Sequence, residues 1–140
     1  MKIGLILIFS NNENNIKKLR LRKTAIQICL VNNGSKDKTL VALNEIKEHF
    51  ENNIEVLDVK KNKGNTAAIK AGSRYLFSKE SFLAIGYMIV KSDADLQNIN
   101  NLMDSATFNK DFKKLMLPKI TSSTKLFPIK EYIKSLAISF

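Results

Sequence analysis

Residues 84–102 read AIGYMIVKSDADLQNINNL. The first seven are apolar enough for a strand buried on both faces, and the stretch from Asn98 to Ala106 has the composition of a helix. Between them stand two carboxylates, Asp93 and Asp95, separated only by Ala94. In an extended segment, alternate side chains project to one side, so both acids are expected to face the same way. Two such carboxylates repel, and each pKa should rise unless a cation intervenes. A hard divalent ion, Mg²⁺ or Mn²⁺, relieves that repulsion and is commonly shared with substrate phosphates. The competing reading is structural: one Asp caps the following helix and the other is solvated.

Outward from this stretch the chain alternates. Residues 3–9, IGLILIF, are a continuous apolar run, and residues 26–31, IQICLV, and 54–59, IEVLDV, are two more strands. Residues 16–23, IKKLRLRK, are expected to form a short basic helix. NNGSKDK turns the chain after the second strand, with Gly34 suited to positive φ and Ser35 or Asp37 to a helix N-cap. Leu40, Leu43, Ile46 and Phe50 recur at helical spacing over residues 38–50. A further helix is expected from Ala67 to Phe77, with Ala68, Ile69, Gly72 and Leu76 on its packed face. KLMLPKI, residues 114–120, is expected to be a fifth strand, and Phe127 to Phe140 a terminal amphipathic helix.

Strands alternating with helices imply βαβ units, hence a mostly parallel sheet flanked by helices with right-handed crossovers. Ligands of such sheets bind outside the strand C-terminal ends. Three polar segments should therefore meet at one rim: SNNEN after the first strand, NNGSKD after the second and KSDADLQ after the fourth.

Composition bounds the possibilities. The 140 residues suffice for one domain with a real core, and 44% hydrophobic with 26% charged residues is ordinary for a globular chain. Two prolines and five glycines exclude a linker-rich or collagen-like chain. Cys29, the single cysteine, lies within an apolar run and reads as a small buried hydrophobe; no intrachain disulfide can form, which suits a reducing compartment. The apolar start MKIGLILIF is followed by polar SNNENN with no small-residue cleavage site, so it reads as a first strand and not as a leader. No apolar run approaches the ~18–20 residues of a membrane helix. The net charge of +10 suits either a nucleic-acid surface or smaller phosphates, such as nucleotides or lipid phosphates. The lysine clusters lack the interleaved aromatics of a single-strand-binding face, and no zinc spacing is present. His49, the lone histidine, sits among Glu45, Lys47 and Glu48 and reads as solvated.

Three segments occur in order between the strands: Val31-Asn32-Asn33-Gly34-Ser35-Lys36-Asp37-Lys38-Thr39, then Asn62, Gly64, Ala68 and Gly72, then Asp93-Ala94-Asp95-Leu96-Gln97. Together they resemble the family 2 glycosyltransferases, especially the branch acting on polyprenyl phosphates, whose pattern is VDDGSxDxT, NxGxxxAxxxG and DADLQ. SNNENNI, residues 10–16, resembles a changed form of that family's YNExxNI segment. The resemblance covers roughly residues 3–105 and implies a Rossmann-like, A-type glycosyltransferase fold. It further implies a nucleoside diphosphate sugar as donor and Mg²⁺ or Mn²⁺ as cofactor. Asn32 and Asn33 would then face the nucleobase, with Gly34 also in the nucleotide site; Asn62 and Gly64 would let the backbone approach the nucleotide, or else form an ordinary turn with Gly64 at positive φ, and Asp93 would lie near the ribose or sugar phosphate. Asp95, with Asp93, would hold the metal. Both acids of the family's DDG segment are asparagines in this chain. The domain is expected to comprise residues 1–105 as the nucleotide-sugar half and 106–140 as a shortened C-terminal part. No stretch of that part matches the family's base region, and Asp111 and Glu131 read as surface acids. The acceptor would be a polyprenyl phosphate or a glycan, met in the cytoplasm or peripherally at the inner membrane face. An inactive nucleotide-sugar-binding module and a basic nucleic-acid-binding α/β domain are the alternatives.

Overall fold

The computed structural model describes residues 2–22, 25–50, 53–104, 108–116 and 125–130. Five strands form one sheet: β1 (Lys2–Phe9), β2 (Gln27–Asn33), β3 (Ile54–Val59), β4 (Phe82–Ile89) and β5 (Leu126–Pro128). Their order is β3-β2-β1-β4-β5, and every pairing is parallel. The helices are α1 (Thr39–His49), α2 (Asn65–Lys79), α3 (Asp93–Asp104) and α4 (Phe108–Met116), with a 3₁₀ turn at Ile16–Lys18. The expected fold class, an α/β parallel sheet flanked by helices, is the one adopted.

The run of apolar residues makes β1 the central strand, because only a strand covered on both faces can bury them all. Leu5, Leu7 and Phe9 turn to one face and pack with Leu43 of α1, Leu96, Ile99 and Leu102 of α3 and Phe112 of α4. Ile6 and Ile8 turn to the other and meet Ala68, Ile69 and Leu76 of α2. Gly72 sets how close α2 can lie: a Cβ there would come within 3.1 Å of the Ile6 side chain. Cys29 is fully buried in this second layer. Burial, helped by the negative charge of Glu55, pushes its thiol up to about 12, as expected of an inert core residue. His49 is exposed at the end of α1.

Several expectations need correction. The basic segment after Ile16 is helical for one turn only. Beyond it the chain is irregular, burying Leu19 and Leu21 alternately, and Asn100 of α3 pins it by donating to the Lys18 carbonyl (2.6 Å) and accepting from the Arg20 N–H (2.7 Å). Lys114–Met116, expected as the start of a strand, ends α4; Phe108, Phe112 and Leu115 recur at helical spacing there. The fifth strand is instead Leu126–Pro128, so Phe127 and Pro128 open no helix. Residues 117–120 of the expected strand, and 131–140 of the expected terminal helix with Glu131, lie outside the described residues. Helix α3 starts at Asp93, five residues earlier than expected.

Candidate functional site

All five strands point the same way, so their C-terminal ends share one rim. The chain leaves β1 toward β2 and β3 on one side and returns to β4 and β5 on the other. The topological switch point therefore lies between β1 and β4, where open α/β sheets bind ligands. A cleft of about 410 Å³ lies there, lined by Ser10, Asn12 and Asn15 after β1, Asn65 at the start of α2, and Val90 and Lys91 after β4. Its walls are held by amides. Asn12 accepts from the Ser10 N–H (2.7 Å) and donates to Asn15 Oδ1 (3.3 Å) and the Val90 carbonyl (3.5 Å).

The next loop is tied to this one. Asn11 donates its N–H to Ser35 Oγ (3.0 Å) and accepts from the Lys36 N–H (2.8 Å); Asn12 donates to Thr39 Oγ1 (2.8 Å). Asp37 accepts from the Thr39 and Glu13 N–H groups and the Thr39 hydroxyl. Burial is the largest single influence and raises its pKa, but these bonds together outweigh it and hold its carboxyl below the usual range. Of the two N-cap candidates, Asp37 thus serves the start of α1, while Ser35 serves the neighbouring loop.

Asn32 and Asn33 are not in a loop. They are the last residues of β2, and both are buried. Asn32 Nδ2 donates to Asp58 Oδ1 (2.9 Å), a bond that heads the influences holding the Asp58 carboxyl down. Asn32 Oδ1 and both polar atoms of the Asn33 side chain have no hydrogen-bond partner in the structure. Buried polar groups are nearly always paired, so three orphaned atoms at the end of one strand mark a special place. Gly34 follows at φ +60°, and a Cβ on it would lie 2.4 Å from the Asn62 backbone nitrogen. Asn62 Oδ1 accepts from the Gly64 N–H (2.9 Å), its Nδ2 donates to Ser10 Oγ (3.5 Å), and Ser10 Oγ donates to the Asn33 carbonyl (3.1 Å). Gly64, at φ +101°, is the N-cap of α2. Asn32, Asn33, Gly34, Asn62 and Gly64 are thus one cluster beside the cleft.

The acid pair is arranged otherwise. Asp93 and Asp95 lie in the first turn of α3, where residues two apart diverge by roughly 200° around the axis. They do not face the same side. Asp93 is exposed and pairs with Lys18, whose ammonium keeps the carboxyl below its usual range, with a smaller contribution from Asn15, itself a residue that lines the cleft. Asp95 is 1% exposed. Its Oδ2 accepts from the Lys91 N–H (2.8 Å) and the Ser92 N–H (3.2 Å), while Ser92 Oγ accepts from the Asp95 N–H (3.4 Å). This is a capping box, Ser92-x-x-Asp95, in which the two ends of the first turn satisfy one another. Asp95 Oδ1 pairs with Lys130 Nζ at 3.1 Å. Burial pushes the Asp95 pKa up, but the Lys91 N–H and the Lys130 charge outweigh it, so the carboxyl is held below the usual range. Raised pKa values were expected absent an ion; Lys18 at Asp93, and the Lys91 N–H with Lys130 at Asp95, reverse the sign.

The divalent metal that the family generally uses can be tested against these residues. Asp93 and Asp95 do not converge, each already has a lysine, and Asp95 Oδ2 is taken by backbone donors. Among the described residues no group of three or more His, Cys, Asp or Glu could hold an ion. The expected Asp95–Asp93 metal pair does not fit this geometry. Four participants escaped the sequence reading. Asp58 and Lys130 act only through partners distant in the chain. Asn12 lay in a segment read as a loop. The competing reading, in which one Asp caps the helix and the other is solvated, is the arrangement adopted; only Ser92 was missed, legible as a Ser three residues before an acid ahead of an apolar run.

A doubly wound parallel sheet with a polar crevice at its switch point defines the class: an open α/β domain whose ligand site is that rim. The family model for "Glycosyl transferase family 2" matches residues 8–103, more than half of the chain, and the chain belongs to that family. The uncharacterized protein MJ0544 of Methanocaldococcus jannaschii is 29% identical over 97 residues, which are 69% of this chain and 41% of that protein. Among solved structures, S. aureus TarS 1–349 is similar at a TM-score of 0.46 and 18% identity, over 74% of this chain and 32% of that one. The same protein in complex with UDP-GlcNAc matches at a TM-score of 0.42. The chain thus spans about two fifths of the curated relative and about a third of TarS 1–349. Among the described residues, no helix is long and apolar enough to cross a membrane.

Proposed function

We propose that this domain binds a nucleoside diphosphate sugar at the rim between β1, β2 and β4 and serves its transfer to an acceptor, a polyprenyl phosphate or a glycan. The observation that carries the reading is the trio of orphaned atoms on Asn32 and Asn33, buried beside the Gly34–Asn62 contact. Leaving each such group unpaired costs about 1–3 kcal/mol; the atoms are closed to solvent in the free chain, so a ligand with matching donors and acceptors would relieve that cost by displacing the neighbouring Gly34–Asn62 loop. A nucleobase edge has such a set. Asn32 and Asn33 would meet the base, and Gly34, Asn62 and Gly64 would let the backbone run close to the nucleotide. Asp93, at the cleft edge, would meet the ribose or sugar phosphate. The amide-lined cleft suits a neutral polyhydroxyl group, since amides both donate and accept. The net charge of +10 favours approach of an anionic donor.

In the transfer, the acceptor oxygen attacks the anomeric carbon as the bond to the diphosphate breaks; the diphosphate leaves with its electron pair, and a glycan hydroxyl gives its proton to a base or to solvent, whereas an ionised polyprenyl phosphate has none to give. The chain's own part in that step is to orient the donor and keep water from it. A thermal-shift panel of UDP-, GDP- and dTDP-sugars tests the reading. One donor at about 100 times its Kd should raise Tm by roughly 10 °C, from a linkage of about 2.7 kcal/mol. A flat response to all three, in wild-type protein, would rule the reading out.

A further inference from the structure

We infer that Lys130 occupies on Asp95 the position a divalent cation would take, so that the domain offers the donor's phosphates an ammonium and binds them without metal. The second half of this rests on the proposed function; the first rests on Asp95 alone. An ionised carboxylate has about four lone-pair positions. Two on Oδ2 are filled by the Lys91 and Ser92 N–H groups, and Lys130 Nζ fills one on Oδ1. The carboxylate is 1% exposed, so the remaining position has no open path to solvent. An ion at the ~2.0–2.1 Å of a magnesium–oxygen bond would have to expel the ammonium. It would also find no second carboxylate, because Asp93 points elsewhere and holds Lys18.

Lys130 is well placed to act in the ion's stead. It follows β5, whose C-terminal end lies on the same rim as that of β4, and the Ile129 N–H bond to the Tyr87 carbonyl (3.1 Å) anchors it there. Its side chain is 39% exposed. An ammonium has three protons, and the Asp95 bond uses one. Among the described residues the other two meet no partner and can serve phosphate oxygens, and the pair cancels the buried charge of Asp95 without an ion.

The test has two arms. In the first, wild-type protein is titrated with Mn²⁺ alone, and the free-ion signal is read by electron paramagnetic resonance. Wild type should leave that signal undiminished; stoichiometric uptake overturns the inference. In the second, UDP, GDP and dTDP are titrated calorimetrically in EDTA and in Mn²⁺, into wild type, Lys130→Met and Lys130→Arg. The nucleotide that binds should do so equally in both buffers, with affinity falling about tenfold or more in Lys130→Met and held in Lys130→Arg. Affinity lost in EDTA, or unchanged in a folded Lys130→Met, overturns the inference. Should the methionine variant fail to fold, the wild-type comparison of EDTA with Mn²⁺ decides. If no nucleotide binds wild type in either buffer, the proposed function fails, and the Mn²⁺ arm still decides whether Asp95 takes an ion.

Discussion

Replacing Asp95 and Asp93 one at a time separates two accounts of the acid pair. If the carboxylates faced one another across an ion site, either substitution in EDTA would relieve repulsion and leave stability unchanged or improved. The observed geometry demands asymmetry. Asp95→Ala removes the N3 half of the capping box, two bonds from the Lys91 and Ser92 N–H groups to a charged acceptor, for about 1–2 kcal/mol each. The lost Lys130 pair adds little, because that ammonium is partly exposed and can turn to water. The sum is about 2–4 kcal/mol, a sizeable part of the ~5–15 kcal/mol of a typical domain. Asp95→Asn keeps one acceptor oxygen and should lose roughly half as much. Asp93→Ala, at an exposed site, should leave stability unchanged. Urea unfolding followed by circular dichroism in EDTA reads all three. With m near ~1.5 kcal/mol/M, Asp95→Ala should lower the midpoint by about 1.5–2.5 M without changing the slope. Equal midpoints for Asp93→Ala and Asp95→Ala would refute the capping box and its lysine.

The pH dependence should follow the same carboxylates. Asp37, Asp58 and Asp95 have folded pKa values below their unfolded values, so their contribution is complete above the unfolded pKa and is lost as pH falls through the folded one. The wild-type urea midpoint should be flat above about pH 5 and drop below about pH 4, less steeply in Asp95→Asn. Gly34→Ala forces a side chain onto a φ of +60° and into the Asn62 backbone, and should cost more than the ~1–3 kcal/mol of a strained backbone alone. A loss below about 1 kcal/mol by denaturant titration would contradict the close contact. Asn33→Leu replaces a buried, unpaired amide with an apolar group of similar size, so the free protein should gain up to about 1–3 kcal/mol while nucleotide binding is lost. A variant that is both stabilised and still shifted by the donor would show that Asn33 faces no ligand.

Much of the architecture was written in short-range pattern. The apolar runs at residues 3–9, 26–31 and 84–90 locate three strands, because a strand covered on both faces is built mostly of apolar side chains, and residues 54–59, which mix Glu55 and Asp58 with apolar residues, locate the half-exposed edge strand β3. The helical spacing of Leu43 and Ile46 locates α1, and that of Ala68, Gly72 and Leu76 locates α2. These four strands and two helices imply a parallel sheet with one functional rim, and the loop cluster at Asn32, Gly34 and Asn62 follows from it. Where local pattern was ambiguous, it misled. IKKLRLRK is a short mixture of apolar and basic residues that suits helix or strand equally, and the Asn100 bonds from α3 decided its course, while Lys114–Met116 continue a helix that begins at Phe108.

The chemistry of the acid pair belongs to this second kind. Its spacing along the chain was plain, but whether two acids one residue apart converge or diverge depends on whether the backbone there is extended or helical. The reciprocal bonds of Ser92 and Asp95 settle that locally. The charge that stands against each acid comes from far away: Lys18 lies 75 residues before Asp93, and Lys130 reaches Asp95 only because β5 pairs with β4. Side-chain identity and periodicity act over a few residues, whereas a carboxylate's counter-ion is whatever charge the packed chain brings within about 4 Å, and only the folded sheet brings these lysines there.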